Sequence, residues 1–177
     1  MGDTLITVVA IFLAAVLMFV FPLMAVSERS DDISQLAVHT STVEFVDKVR
    51  STGKLTLDDY DKFVQTVSST GNSYEVELEI KILDENPGIK TTQTNIDKIG
   101  ENVYYTEYTS QILKKLTEDN GRGRINLKEG DIVSVNVKNT NKTISQLLRG
   151  FFYSISGNDT YQISAKHAGI VTVNGSN

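Results

Sequence analysis

The sequence predicts an α+β protein: an N-terminal transmembrane helix extended into an amphipathic helix, followed by a small mixed sheet with helices on one face. Three observations carry this prediction. Residues 5–26 hold no charged side chain. Residues 27–50 contain neither Gly nor Pro, and their apolar positions fall mostly three or four apart, the spacing of one helix face. Residues 74–82 read YEVELEIKI, an alternation that fits a strand with one buried and one solvated face.

Taken in order, residues 5–26 read LITVVAIFLAAVLMFVFPLMAV, with Thr7 the only polar side chain. A helix crosses a bilayer with about 20 such residues. Leu5, Val9, Phe12, Leu13, Val16, Phe19, Val20, Pro22 and Val26 are the candidate anchor residues. A cleaved secretory signal is the competing reading. The first four residues carry no Lys or Arg, Ala25-Val26-Ser27 is a poor cleavage pattern, and the run exceeds the roughly 7–15 apolar residues of a signal core. The anchor is therefore preferred. Arg29 is the only nearby basic residue, so the positive-inside rule does not set the orientation. The acidic, hydroxyl-rich remainder favours a single-pass protein of the cell membrane with an extracytoplasmic C-terminal domain. Pro22 predicts a kink. Ala10 and Ala14 stand four apart and allow close helix approach, although ordinary lipid-facing alanines fit as well.

Beyond the span, Ile33, Leu36, Val43, Val46 and Val49 form the apolar stripe of a continuing helix, with Thr40 in the gap. Ile33, Leu36, Val43 and Val46 join Ala10 and Ala14 as candidate helix-packing residues. This divides the chain into an anchor (1–26), a helical stalk (27–52) and a head (53–177). In the head, Thr56 caps a helix with Asp58 and Asp59 in its first turn, and Tyr60, Phe63, Val64 and Val67 give its apolar face. The strand at 74–82 closes in a turn at 84–88. Residues 89–101 read as a polar connection, and residues 104–116 as a helix carrying Tyr104, Tyr105, Tyr108, Ile112, Leu113 and Leu116. After a loop at 117–124 come Ile125, Leu127 and a strand at 131–138 with Val133, Val135 and Val137 on one face. A helix at 143–153 follows, with Ile144, Leu147, Leu148 and Phe151 inward. A turn at 157–159 precedes two short strands, 161–166 and 170–173, around Gly169. Strands separated by helices suggest parallel crossovers, and the last two suggest a hairpin.

The composition excludes several chemistries. There is no cysteine, so disulfide frameworks, zinc–thiolate sites and thiol catalysis are absent. The net charge is −5, and Arg122 and Arg124 form the only tight arginine pair, which argues against nucleic acid as a partner. His39 and His167 stand far apart in sequence, outside any metal-ligand motif. Asp58, Asp59 and Asp61 serve a helix start, and turn chemistry accounts for Asp84-Glu85-Asn86 and Gly157-Asn158-Asp159 more simply than calcium does. Gly121-Arg122-Gly123-Arg124 reads as a solvated loop. No catalytic, cofactor-binding or metal residue is expected, and no small-molecule substrate. The expected partners are the lipid bilayer, further copies of the chain, or other subunits of an assembly.

An uncharged N-terminal helix with an internal Pro22, extended into a small α+β head, resembles type IV pilin-like proteins. The blocks VEFVDKVRSTGKLTLDDYDKFVQTVSSTGNSYEVELE and VKNTNKTISQLLRGFFYSISGNDTYQISAKHAGIV are similar to those of Gram-positive membrane proteins that accompany tight-adherence (Tad/Flp-type) pilus and secretion genes. The resemblance covers most of the chain. It implies a structural, non-enzymatic subunit that waits in the membrane and packs through its apolar helix into a surface filament or secretion apparatus. The family's processing site is a glycine followed five residues later by glutamate after a basic leader, whereas here Gly2 has Thr7 at that distance and no basic leader. A TadE-like minor pseudopilin is therefore the closer likeness. The alternative is a membrane-tethered binding, adhesion or sensor module that uses loops 119–124 and 139–142.

A charge at the centre of a spanning helix costs about 2.5–3.5 kcal/mol. Leu13→Lys is accordingly expected to release the protein from the membrane fraction. Undiminished retention of this variant on cell fractionation would count against residues 5–26 as the anchor.

Overall fold

Pro22 has no amide hydrogen, and in a regular helix its ring would crowd the carbonyl of Met18. In the computed structural model, which describes residues 2–85, 103–118, 123–153 and 162–176, the chain meets this constraint with a widened turn. Helix α1 (Gly2–Ala15) passes through a π-helical turn (Val16–Val20) directly into α2 (Phe21–Thr52). A π turn lodges an extra residue without ending the helix. The result is one continuous helix, Gly2–Thr52, of 51 residues, roughly 76 Å long at the standard rise.

Helix α2 stops at Gly53, whose φ of +64° is left-handed and whose N–H donates to the Val49 carbonyl at 2.9 Å. Strand β1 (Lys54–Thr56) leads into α3 (Leu57–Ser68), and the Thr56 hydroxyl accepts from the Asp59 amide at 3.1 Å, the expected cap. Phe63 of α3 stacks on Phe45 of α2, with ring centroids 4.6 Å apart. The remaining elements are β2 (Tyr74–Leu83), β3 (Tyr104–Tyr108), α4 (Thr109–Glu118), β4 (Arg124–Asn126), β5 (Ile132–Asn139), α5 (Ile144–Tyr153) and β6 (Ser164–Ile170).

Four strands form a sheet in the order β3-β2-β5-β6, and β1 pairs with β4 in a small second sheet. Leu78 faces Val135 and Ile80 faces Val133 across β2 and β5. These four side chains are buried with Val38, Val46 and Val49 of α2 and Ile112 and Leu116 of α4. The other face of the sheet is polar: Asn136 donates to Glu77 at 2.6 Å, and Lys138 lies 3.6 Å from the same carboxylate.

The architecture is α+β, as the sequence predicts, with three corrections. Every strand pair is antiparallel, where parallel crossovers and a mixed sheet were expected. The alternation in β2 carries the reason, because a sheet with one solvated face suits antiparallel pairing, while parallel sheets are covered on both faces. Second, the helix expected at 104–116 divides at Thr109. Tyr104–Tyr108 pairs with the otherwise open edge of β2, whose ladder overrides a helical spacing of tyrosines. Third, Gly169 lies inside one continuous strand rather than between two, so β6 adds to β5 and the expected terminal hairpin is absent. The short strands β1 and β4 had no signal of their own. The expected features at 86–101, 119–122 and 157–159, and the inward placement of Phe151, lie outside the described residues.

A Cβ on Gly53 would stand 2.3 Å from the Val173 carbonyl oxygen, whereas one on Gly71, also at positive φ, would meet nothing within 4 Å. Gly71→Ala is expected to lose about 1–2 kcal/mol, the cost of a left-handed alanine. Gly53→Ala is expected to lose considerably more. Chemical denaturation of the detergent-solubilised protein compares the two, and equal losses would overturn this account of the crossing.

Candidate membrane and packing surfaces

Along the apolar half of the long helix no residue of α1 or the π turn is buried. Leu5, Val9, Phe12, Leu13, Phe19, Pro22 and Val26 are exposed, and Val16 and Val20 are half-buried. Exposed apolar surface on this scale marks a surface that meets lipid or protein. Among the described residues this is the single helix long and apolar enough to cross a membrane. Ala10 and Ala14 lie on the same bare segment.

Where α2 meets the head, its buried face is Asp31, Ser34, Val38, Thr42, Phe45, Val46 and Val49. The expected stripe divides between two surfaces. Val46 and Val49 are fully buried and Val43 half-buried, whereas Ile33 and Leu36 are 61% and 67% exposed. They occupy the outer side of the helix with Val26, away from the sheet. Polar residues continue the inner face toward the N-terminus. The Ser34 hydroxyl donates to the Ser30 carbonyl at 3.0 Å and the Thr42 hydroxyl to the Val38 carbonyl at 2.7 Å. Such back-bonding satisfies the hydroxyl within its own helix and allows burial. Asp31 is buried because the Thr143 hydroxyl donates to it at 2.7 Å.

That bond is half of a latch between α2 and α5. The other half is the Arg149 guanidinium on Glu28, with Nε at 3.0 Å and Nη2 at 2.8 Å from one carboxylate oxygen. The latch turns α5 so that Ser145 is buried while Ile144 and Leu147 are 60% and 57% exposed. Both were expected inward; Leu148 is half-buried. Periodicity cannot choose between two apolar sides of a short helix. The polar partners chose, and Glu28 and Asp31, more than 110 residues away, carry no local sign of their role.

Other polar features stay on the surface. Partial burial pushes the Asp59 carboxyl up, but hydrogen bonds with Lys48 and Thr56 and the charges of Lys48 and Lys62 hold it below the ordinary value. Burial, aided by Asp61, raises the Tyr60 hydroxyl. Lys62 and Lys128 are raised by hydrogen bonds to Asp58 and Glu85 respectively. Among the described residues no three metal-ligating side chains come together. His39 is exposed, and His167 lies 3.9 Å from Asp47. A cleft of about 660 Å³ is lined by charged residues of α4 and by Arg124, with Lys115 paired to Glu107 across it. A second cleft, of about 490 Å³, is lined by the 139–142 loop with Gln146, Leu147 and Gln162. The 119–122 part of the other expected contact loop lies outside the described residues.

Hydrogen bonds to charged groups contribute roughly 1.5–3 kcal/mol each. Removing both halves of the latch, with Thr143→Val and Arg149→Ala together, is expected to speed amide exchange across residues 144–150 by about tenfold or more. Protection of β2 and β5 should persist. Unchanged exchange in α5 would mean that apolar contacts alone hold it.

Compared with protein-family models, with curated proteins and with solved structures, the chain matches none.

Proposed function

We propose that this chain is a structural, non-enzymatic subunit, a TadE-like minor pilin or pseudopilin, of a Tad-type pilus-like filament or secretion apparatus. It sits in the cell membrane by one span, with its head extracytoplasmic. The observation that carries the reading is the unbroken helix Gly2–Thr52, bare along its apolar half and built into the head along the other. A tether for a separate module needs no such rigid union. A subunit that must place its head at a fixed angle on a helical stack does.

The two halves of the helix meet different driving forces. In lipid there is no hydrophobic gain from association, so contacts depend on close packing at small residues such as Ala10 and Ala14. Outside the lipid, burying Ile33 and Leu36 against a neighbouring copy would contribute about 1.5–3 kcal/mol for each side chain. The cleft beside the 139–142 loop supports a second reading, a membrane-tethered binding or adhesion module.

Cysteine cross-linking in expressing cells, combined with shearing of surface material, separates the readings. The pseudopilin reading expects higher oligomers or sheared filaments containing the protein, and their loss in Ile33→Asp with Leu36→Asp while membrane retention persists. A monomeric membrane protein whose head binds a ligand saturably, indifferent to those two substitutions, would replace it with the tethered module.

A further inference from the structure

We propose that α5 is a membrane-interface helix, which lays Ile144 and Leu147 into the headgroup region of the same bilayer that the N-terminal helix crosses. The proposal rests on the membrane reading of residues 5–26. It adds a second point of contact to a protein otherwise anchored by one span.

Depth is the first argument. Glu28 lies two residues past Val26, the last residue of the apolar run, or about 3 Å of helix rise. Arg149 of α5 is held on Glu28 at 2.8 Å. The hydrocarbon core gives way to a headgroup region several ångströms deep at this level. Direction is the second. Thr143, just before α5, bonds to Asp31, whereas Arg149, six residues later, bonds to Glu28. As α5 advances, its partner on α2 moves back toward the apolar span, so the helix descends toward the lipid.

Chemistry is the third. Ile144 and Leu147 are three residues apart, which places them on one side of α5, and both are exposed. Lys142, exposed just ahead of the helix, suits phosphate headgroups. An exposed apolar pair beside a basic residue at this depth is the chemistry of an interfacial helix. Lipid is favoured over a second copy as occupant because the helix is latched at headgroup depth.

The chain contains no cysteine, so single cysteines can be placed at will. In the full-length protein, Leu13→Cys, Leu147→Cys, Ile144→Cys and Tyr105→Cys would each carry an environment-sensitive fluorophore. The probe medium is vesicles of phosphatidylcholine and phosphatidylglycerol with brominated acyl chains. Tyr105, near the far end of β2 in register with Ile82, reports the part of the head remote from α5. The expected result is blue-shifted emission with strong loss at 13, a blue shift with at least half that loss at 144 and 147, and neither at 105. Quenching at 13 with water-like emission at 144 and 147 would overturn the α5 proposal and leave the anchor standing. No quenching at 13 would overturn the anchor and the proposal together. Disulfide-linked dimers through Leu147→Cys, without lipid quenching, would assign this face to a second copy and overturn the proposal.

Discussion

One unbroken helix is long and apolar enough in its first half to cross a membrane and is built into the head along its second, and the rest of the structure follows from that constraint. In hydrocarbon every backbone amide and carbonyl must be paired within the segment, and a helix does this without help. At the other end the same helix supplies a wall of the head, with Val38, Phe45, Val46 and Val49 closing over the sheet. Because no loop separates the two halves, the orientation of the head relative to the span is fixed by helix geometry. The π turn at Val16–Val20 matters for this reason. It takes up Pro22 without a break, so the rotational phase of α2 relative to α1 is set by one widened turn.

The polar residues inside the α2 interface belong to the same economy of pairing. A buried hydroxyl or carboxylate is costly unless it is bonded, and Ser34, Thr42 and Asp31 each find a partner. Toward the other end the same face turns apolar, and Phe45 stacks on Phe63. The interface thus grades from polar to apolar along α2, away from the apolar run.

Much of this was legible in the sequence, and the failures have physical causes. The charge-free run, the cap at Thr56, the strand at Tyr74–Leu83 and the inward valines of β5 were all readable, because each depends on local spacing or on one residue's chemistry. Strand direction was not, because pairing is decided between segments far apart in sequence. Ile144 and Leu147 were expected inward and are exposed. On α5 the side carrying Thr143 and Arg149 faces α2 through partners more than 110 residues away, which local spacing does not reveal. The surfaces now of most functional interest are therefore the places where a simple hydrophobic reading points the wrong way.

The contact between α2 and β6 carries a consequence for biogenesis. Gln35 exchanges hydrogen bonds with Ser164, 129 residues further on, donating to its carbonyl and accepting from its amide. The second half of the long helix therefore cannot find its proper seat until β6 has been synthesised. Until then the inner face of α2 is open. Long-range closure of this kind is slow compared with local helix formation. Folding of this chain therefore passes through an interval in which its longest helix is complete and its partner sheet is not.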